Sequence, residues 1–121
     1  MRIVVILFLV GTLYACTNDE TPQPTVLDCD TIDEVSFKTN IQPIIETSCS
    51  YNSSCHGDGA FSVVLKSYDA LKPYLESELL RDRVLVNKNM PPIYATEGPT
   101  ELTVNQLGLI DCWLKNGFLN N

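Results

Sequence analysis

The sequence places Cys49-Ser50-Tyr51-Asn52-Ser53-Ser54-Cys55-His56 near the middle of the chain, and this stretch holds two cysteines and the only histidine. Two thiols followed at once by an imidazole suit covalent haem attachment, because the thiols form thioethers to the porphyrin and the imidazole ligates the iron. The usual attachment motif has two residues between its cysteines, whereas this stretch has five. The pattern therefore predicts a haem-attachment site with a lengthened loop.

The surplus residues of this loop can bulge outward, because the porphyrin fixes the distance between the two attachment points and not the residue count. Ser and Asn suit such a bulge, since their side chains hydrogen-bond to loop backbone groups. Two other interpretations of the same residues stay open. Cys49 and Cys55 could form a disulfide across a polar turn beside a solvated His56, or the three side chains could bind zinc without an obvious fourth ligand.

A second candidate iron ligand lies in Asn89-Met90-Pro91-Pro92. Met90 is the only methionine besides the initiator, and the following prolines hold its backbone extended. A thioether on a stiff loop suits the second axial position of haem iron. The alternative is a methionine that fills space in the core.

These features resemble a small class I cytochrome c domain of the kind found in bacterial lipoproteins. The resemblance extends from about Ser36 to Gly117 and rests on four segments: Phe37 to Ile45, Cys55-His56-Gly57, Met90-Pro91-Pro92, and Leu102 to Gly117. The five residues between Cys49 and Cys55 depart from the motif of that family. The resemblance implies an all-α domain in which N- and C-terminal helices cross around a haem pocket.

The resemblance also implies haem c bonded to Cys49 and Cys55, with His56 and Met90 as the axial ligands of the iron. Two protein ligands leave no open coordination position, which favours electron transfer to redox partner proteins over enzymatic chemistry. A formal net charge of -7 argues against nucleic-acid binding. The alternative is a haem-free, disulfide-stapled envelope lipoprotein domain with a binding or structural role.

The first residues are typical of an export signal. Arg2 precedes an apolar run from Ile3 to Val10, and Leu13-Tyr14-Ala15-Cys16 resembles a lipobox. We expect a lipoprotein signal peptide at residues 1–15, with ordinary cleavage near Ala15 as the alternative. Lipid on Cys16 would anchor the exported protein to the bacterial cell envelope, at the outer membrane or the cell surface.

Residues 16–34 are acidic and contain two prolines, which predicts a flexible tether before a domain at residues 35–121. Thiols of exported proteins are usually oxidised or ligated. If haem takes the middle cysteines and lipid takes Cys16, Cys29 and Cys112 remain as a disulfide pair. Helical periodicity places Cys112 on the side of the last helix opposite Ile110. We therefore expect a disulfide from Cys29 to Cys112 that holds the end of the tether against the outer face of this helix. The alternative is a disulfide that joins Cys29 or Cys112 to Cys49 or Cys55.

The apolar pattern predicts three helical regions. The first covers Ser36 to Ser48, with a kink or a loose start at Pro43. Ser67 caps a second region, which Pro73 should divide into two short helices. Residues 93–101 form an irregular loop, and the last helix begins with the capping-box spacing of Thr103 and Gln106 and stops at Gly117.

Overall fold

The computed structural model describes residues 27–121. The signal peptide predicted at 1–15, the lipidation site Cys16 and the first part of the tether lie outside the described residues. The described chain contains helices and no strand, so this part is all-α. Its helical elements are a π-helical turn (Phe37–Ile41) that runs into α1 (Gln42–Ser48), then α2 (Tyr68–Glu76), α3 (Leu79–Arg81), a second π-helical turn (Asp82–Val86), and α4 (Val104–Lys115). Within residues 27–121, none of these helices has the length and apolar character that crossing a membrane requires.

The first helix begins with a wide turn, as the position of Pro43 suggests. The Gln42 amide donates to the Phe37 carbonyl in the wide pattern, and Pro43, in the first turn of α1, has no amide hydrogen to donate. The regular ladder of α1 can therefore begin only after this point.

The amides that start the first helix are satisfied by the last residue of the chain. The Phe37 amide donates to Asn121 Oδ1 at 2.9 Å, and the Lys38 amide donates to the Asn121 carbonyl at 3.1 Å. The Ser36 hydroxyl donates to that same carbonyl at 2.8 Å. The first amides of a helix have no partner within it, so residue 121 acts as a distant cap.

Two short helices follow Ser67 in series, but the predicted position of the break was wrong. Pro73 lies inside α2, and the chain turns instead at Glu78, whose φ of 58° is left-handed. The donor that Pro73 lacks would have bonded to the carbonyl of Asp69, an exposed residue at the start of the helix. Water can satisfy that carbonyl, which is why the proline is tolerated inside α2.

The last helix has the predicted limits. The Thr103 hydroxyl accepts from the Gln106 amide at 3.2 Å, and Gln106 Oε1 accepts from the Thr103 amide at 2.9 Å, which completes a capping box. Beyond Lys115, Gly117 has a φ of 88°. This left-handed conformation ends the helix and costs glycine little.

An aromatic cluster joins the two ends of the domain. The Phe37 ring lies 5.8 Å from Trp113 and 5.3 Å from Tyr68. Trp113 is 1% exposed, and its indole nitrogen donates to the Leu119 carbonyl at 3.0 Å. The last helix thus packs on the first helical turn through buried rings.

Cys29 and Cys112 form a disulfide, with their Cα atoms 5.2 Å apart. This is the pair that the sequence predicted, with the end of the tether held against the last helix. Cys112 is 1% exposed, because the segment that carries Cys29 covers this side of α4, where Leu27 comes close to Gly108.

Candidate functional site

One cavity of about 390 Å³ brings together the four residues that the sequence singled out, Cys49, Cys55, His56 and Met90. A volume in this range is typical of small-molecule and cofactor sites. Most of the remaining wall is apolar and comes from α1, α3, the second π-helical turn, α4 and the segment after His56: Ile45, Val63, Leu65, Leu80, Val84 and Ile110. The cavity is therefore an apolar pocket with sulfur and imidazole groups at its edge.

Cys49 is delivered to the cavity by the end of α1. Its amide donates to the Ile45 carbonyl at 2.9 Å, and the next residue, Ser50, is buried and donates from its hydroxyl to the Leu65 carbonyl at 2.9 Å. Burial, together with the nearby Cys55 thiol, raises the pKa of Cys49 to about 11. The thiol of Cys49 is therefore protonated at neutral pH.

Cys49 and Cys55 are both free thiols in the structure. The disulfide that the sequence left open between them is not present, and neither thiol is joined to Cys29 or Cys112, which pair with each other. Both thiols border the cavity and are half-buried. They are consequently placed to bond to a group inside it.

Backbone carbonyls hold both the ring and the main chain of His56. Its Nδ1 lies 2.9 Å from the Val63 carbonyl, and its own amide donates to the Cys49 carbonyl at 3.0 Å. A carbonyl oxygen can only accept, so Nδ1 carries the hydrogen and Nε2 keeps its lone pair. This is the tautomer that a metal-ligating histidine needs. Sequence reasoning missed Val63, because a backbone carbonyl leaves no signal in the residue types.

Met90 is held by the turn that follows α3. The amides of Asn89 and Met90 donate to the Arg83 carbonyl at 3.0 and 3.3 Å, and Arg83 also borders the cavity. Met90 is half-buried and Pro91 is buried. Sequence reasoning identified the methionine but not its support, because that support is also a backbone carbonyl.

The lengthened cysteine loop is organised by Asn52. Its Oδ1 accepts from the amides of Ser54 and Cys55 at 2.9 and 3.2 Å, and its carbonyl accepts from the Gly57 amide at 2.9 Å. The expected role of polar side chains in the bulge is thus present for Asn52. Tyr51 lies beside the Cys55 sulfur, and the hydrogen bond to the Cys55 side chain raises the pKa of Tyr51.

Comparison of the chain with protein-family models, curated proteins and solved structures gives no match. The chemistry of the site must therefore be argued from its own residues.

The zinc interpretation has no support in the described residues. Within residues 27–121, no group of three or more His, Cys, Asp or Glu side chains is placed to hold a metal ion, and Cys49, Cys55 and His56 fall in this range. What the cavity offers is one imidazole nitrogen, one thioether sulfur and two thiols.

Asp111 of α4 forms two ion pairs, one to Arg81 of α3 and one to Lys115 of the same helix. Asp111 accepts from Lys115 Nζ at 2.7 Å and lies 3.4 Å from Arg81. Pairs that are this exposed contribute roughly 0 to 1 kcal/mol each. The buried side chains of the wall, and not these charges, therefore fix its position.

Proposed function

We propose that residues 35–121 form an electron-transfer module that binds haem c covalently through Cys49 and Cys55, with the iron ligated by His56 and Met90. The observation that carries this proposal is the shared cavity, because residues far apart in sequence line one apolar pocket. The orientation of His56 supports this proposal, since the hydrogen bond from Nδ1 to Val63 leaves the lone pair of Nε2 available to ligate the iron.

Each side chain in the pocket has a distinct role in this proposal. When bound, haem would supply one-electron chemistry through ferrous and ferric iron. The carbonyl of Val63 orients the ring of His56. Met90 provides a soft sulfur donor, which favours the ferrous state.

The apolar wall of the pocket limits the entry of water. Ile45, Val84 and Ile110 line it and lie below 10% exposure. With His56 and Met90 both ligating, no coordination position stays open for a substrate, so we infer outer-sphere electron transfer to a partner protein. The module would work as an exported protein held at the cell envelope by lipid on Cys16. The all-α described chain and the packing of α4 on the first helix support the resemblance to class I cytochromes c.

The decisive experiment is expression in a host with cytochrome maturation machinery. We expect a Soret band in the purified protein and a haem-stained band on a denaturing gel that survives acid-acetone extraction. Cys49→Ser and Cys55→Ser should each lower the stained signal, and the double variant should abolish it. Cys16→Ser is the control, because it removes a cysteine that precedes residues 35–121 and should keep the stain.

Two results would change the proposal. Haem that acid-acetone extracts from the wild-type protein would mean that the thiols do not bond to it. The absence of any Soret absorbance would overturn the cytochrome proposal and favour the haem-free envelope lipoprotein domain.

A further inference from the structure

The lengthened cysteine loop contacts the loop that follows Met90. The Asn52 side-chain amide donates to Glu97 Oε2 at 2.8 Å. One residue on, Gly98 has a φ of 76°, and its backbone lies so close to the Tyr51 ring that a Cβ at this position would overlap the ring. Two neighbouring residues of one loop thus hold two neighbouring residues of the other.

Both contacts use residues of the cysteine loop, which is three residues longer than in the usual motif. Tyr51 and Asn52 lie among the five residues between Cys49 and Cys55. We infer that these two residues are positioning residues for Met90, an inference that rests on the proposed haem site. The lengthened motif then links the segment carrying one axial ligand to the segment carrying the other.

The loop after Met90 has little else to hold it. Residues 93 and 94, 96–98, 100 and 101 are all exposed. The Arg83 carbonyl holds the start of the segment through the Met90 amide, and Leu102, 7% exposed, holds its end. Between these points, Glu97 and Gly98 contact the cysteine loop through Asn52 and Tyr51.

Six residues lie between Met90 and Glu97, and the first two of them are prolines. Pro91 and Pro92 follow the methionine and border the cavity, and the Ala95 amide donates to the Pro92 carbonyl at 3.0 Å in a tight turn. Proline fixes φ, so the two prolines restrict the backbone directly after Met90. We therefore expect a displacement of the loop at Glu97 to shift the backbone that carries the Met90 sulfur.

The test measures how readily an external ligand replaces Met90 on the iron of the haem-loaded protein. Imidazole is added to the ferric protein, and the rate of binding is followed together with the long-wavelength charge-transfer band. Glu97→Ala and Asn52→Asp should each bind imidazole about 3- to 10-fold faster, since each loses one partly exposed hydrogen bond. Gly98→Ala should have at least the same effect, because the added methyl group displaces Tyr51.

Two control variants separate this role from a general loss of stability. Glu97→Gln keeps an acceptor oxygen for Asn52 and should behave as the wild type. Glu101→Ala removes an equally exposed carboxylate of the same loop, one that accepts no side-chain hydrogen bond in the described residues, and should also bind imidazole at the wild-type rate.

Amide hydrogen exchange provides a second readout that does not depend on haem. Glu97→Ala should accelerate exchange at Ala95 while exchange at Ile110 stays slow, which distinguishes a released loop from an unfolded domain. The inference would be overturned if Glu97→Ala, Asn52→Asp and Gly98→Ala bound imidazole at the wild-type rate and exchanged the Ala95 amide at the wild-type rate. If the wild-type protein takes up no haem, the proposed function fails, and the exchange experiment still decides whether the two loops hold each other.

Discussion

Breaking the disulfide between Cys29 and Cys112 should strongly lower the stability of the domain. The two residues are separated by 83 positions, so their bond restricts most of the described chain when it unfolds. In the chain-entropy model a closed loop of this length contributes about 4 to 5 kcal/mol. A small domain has a total stability of roughly 5 to 15 kcal/mol, so loss of the bond leaves it marginal.

Cys29→Ser is the cleaner of the two possible variants. Cys29 is half-buried, whereas Cys112 is 1% exposed. A serine at position 112 would bury a hydroxyl and add about 1 to 3 kcal/mol if it found no hydrogen-bond partner. Cys29→Ser breaks the same bond and leaves a thiol in the buried position, so its cost reports the cross-link itself.

Urea unfolding of the haem-free protein, followed by the fluorescence of Trp113, measures this cost. Cys29→Ser should lower the free energy of unfolding by about 4 to 5 kcal/mol, and by less in haem-loaded protein, where thioethers already restrict the unfolded chain. Reduced wild-type protein should match the variant, and reductant should not change the variant further. A loss below about 1 kcal/mol would refute the loop-entropy reasoning, and an equal loss in Cys112→Ser would show that position 112 tolerates a hydroxyl.

Three further predictions concern the remaining sulfur atoms. Because the pKa of Cys49 is raised from 9.0 to about 11, its thiol ionises first in the unfolded chain, so haem-free protein should lose about 2 to 3 kcal/mol of stability as pH rises from 9 to 11. Cys49→Ser should lack this loss in urea titrations at each pH; an identical pH profile would mean that the thiol is not shielded. Met90→Ala should abolish the long-wavelength band of ferric protein and lower its reduction potential, and a band that survives would exclude Met90 as a ligand. Cys16→Ser should move the protein from the membrane to the soluble fraction, since each acyl methylene contributes ~0.8 kcal/mol to anchoring; continued retention would point to an uncleaved signal.

Local signals allowed parts of the fold to be predicted from the sequence. The capping box of Thr103 and Gln106 and the stop at Gly117 depend only on neighbouring residues, and the structure has both. The prediction at Pro73 failed because proline removes one hydrogen bond and water can replace it at an exposed carbonyl. The break at Glu78 carries no comparable signal, since glutamate rarely has a positive φ.

The site shows the same division between residue types and tertiary contacts. Cysteine, histidine and methionine can be recognised in the sequence, and the structure gathers all four candidates around one cavity. The carbonyls of Val63 and Arg83 that orient His56 and Met90 could not be predicted, because every residue has a carbonyl. The Cys29–Cys112 pair was predicted from the number of cysteines in an exported chain, but the contact of Leu27 with Gly108 beside it could not be.

The distant cap of the first helix has a kinetic consequence. Asn121 bonds to Ser36 and Phe37 across 85 and 84 residues, so the ends of the domain must meet before these bonds form. Short helices form on a microsecond scale, whereas long loops close late because their entropy cost comes first. Cys49 and Cys55 share their cavity with Ile110 of α4, so both thiols are more exposed until α4 packs on the first helix. An enzyme that modifies the two thiols would therefore find them most open before the ends meet, and formation of the Cys29–Cys112 bond would end that interval.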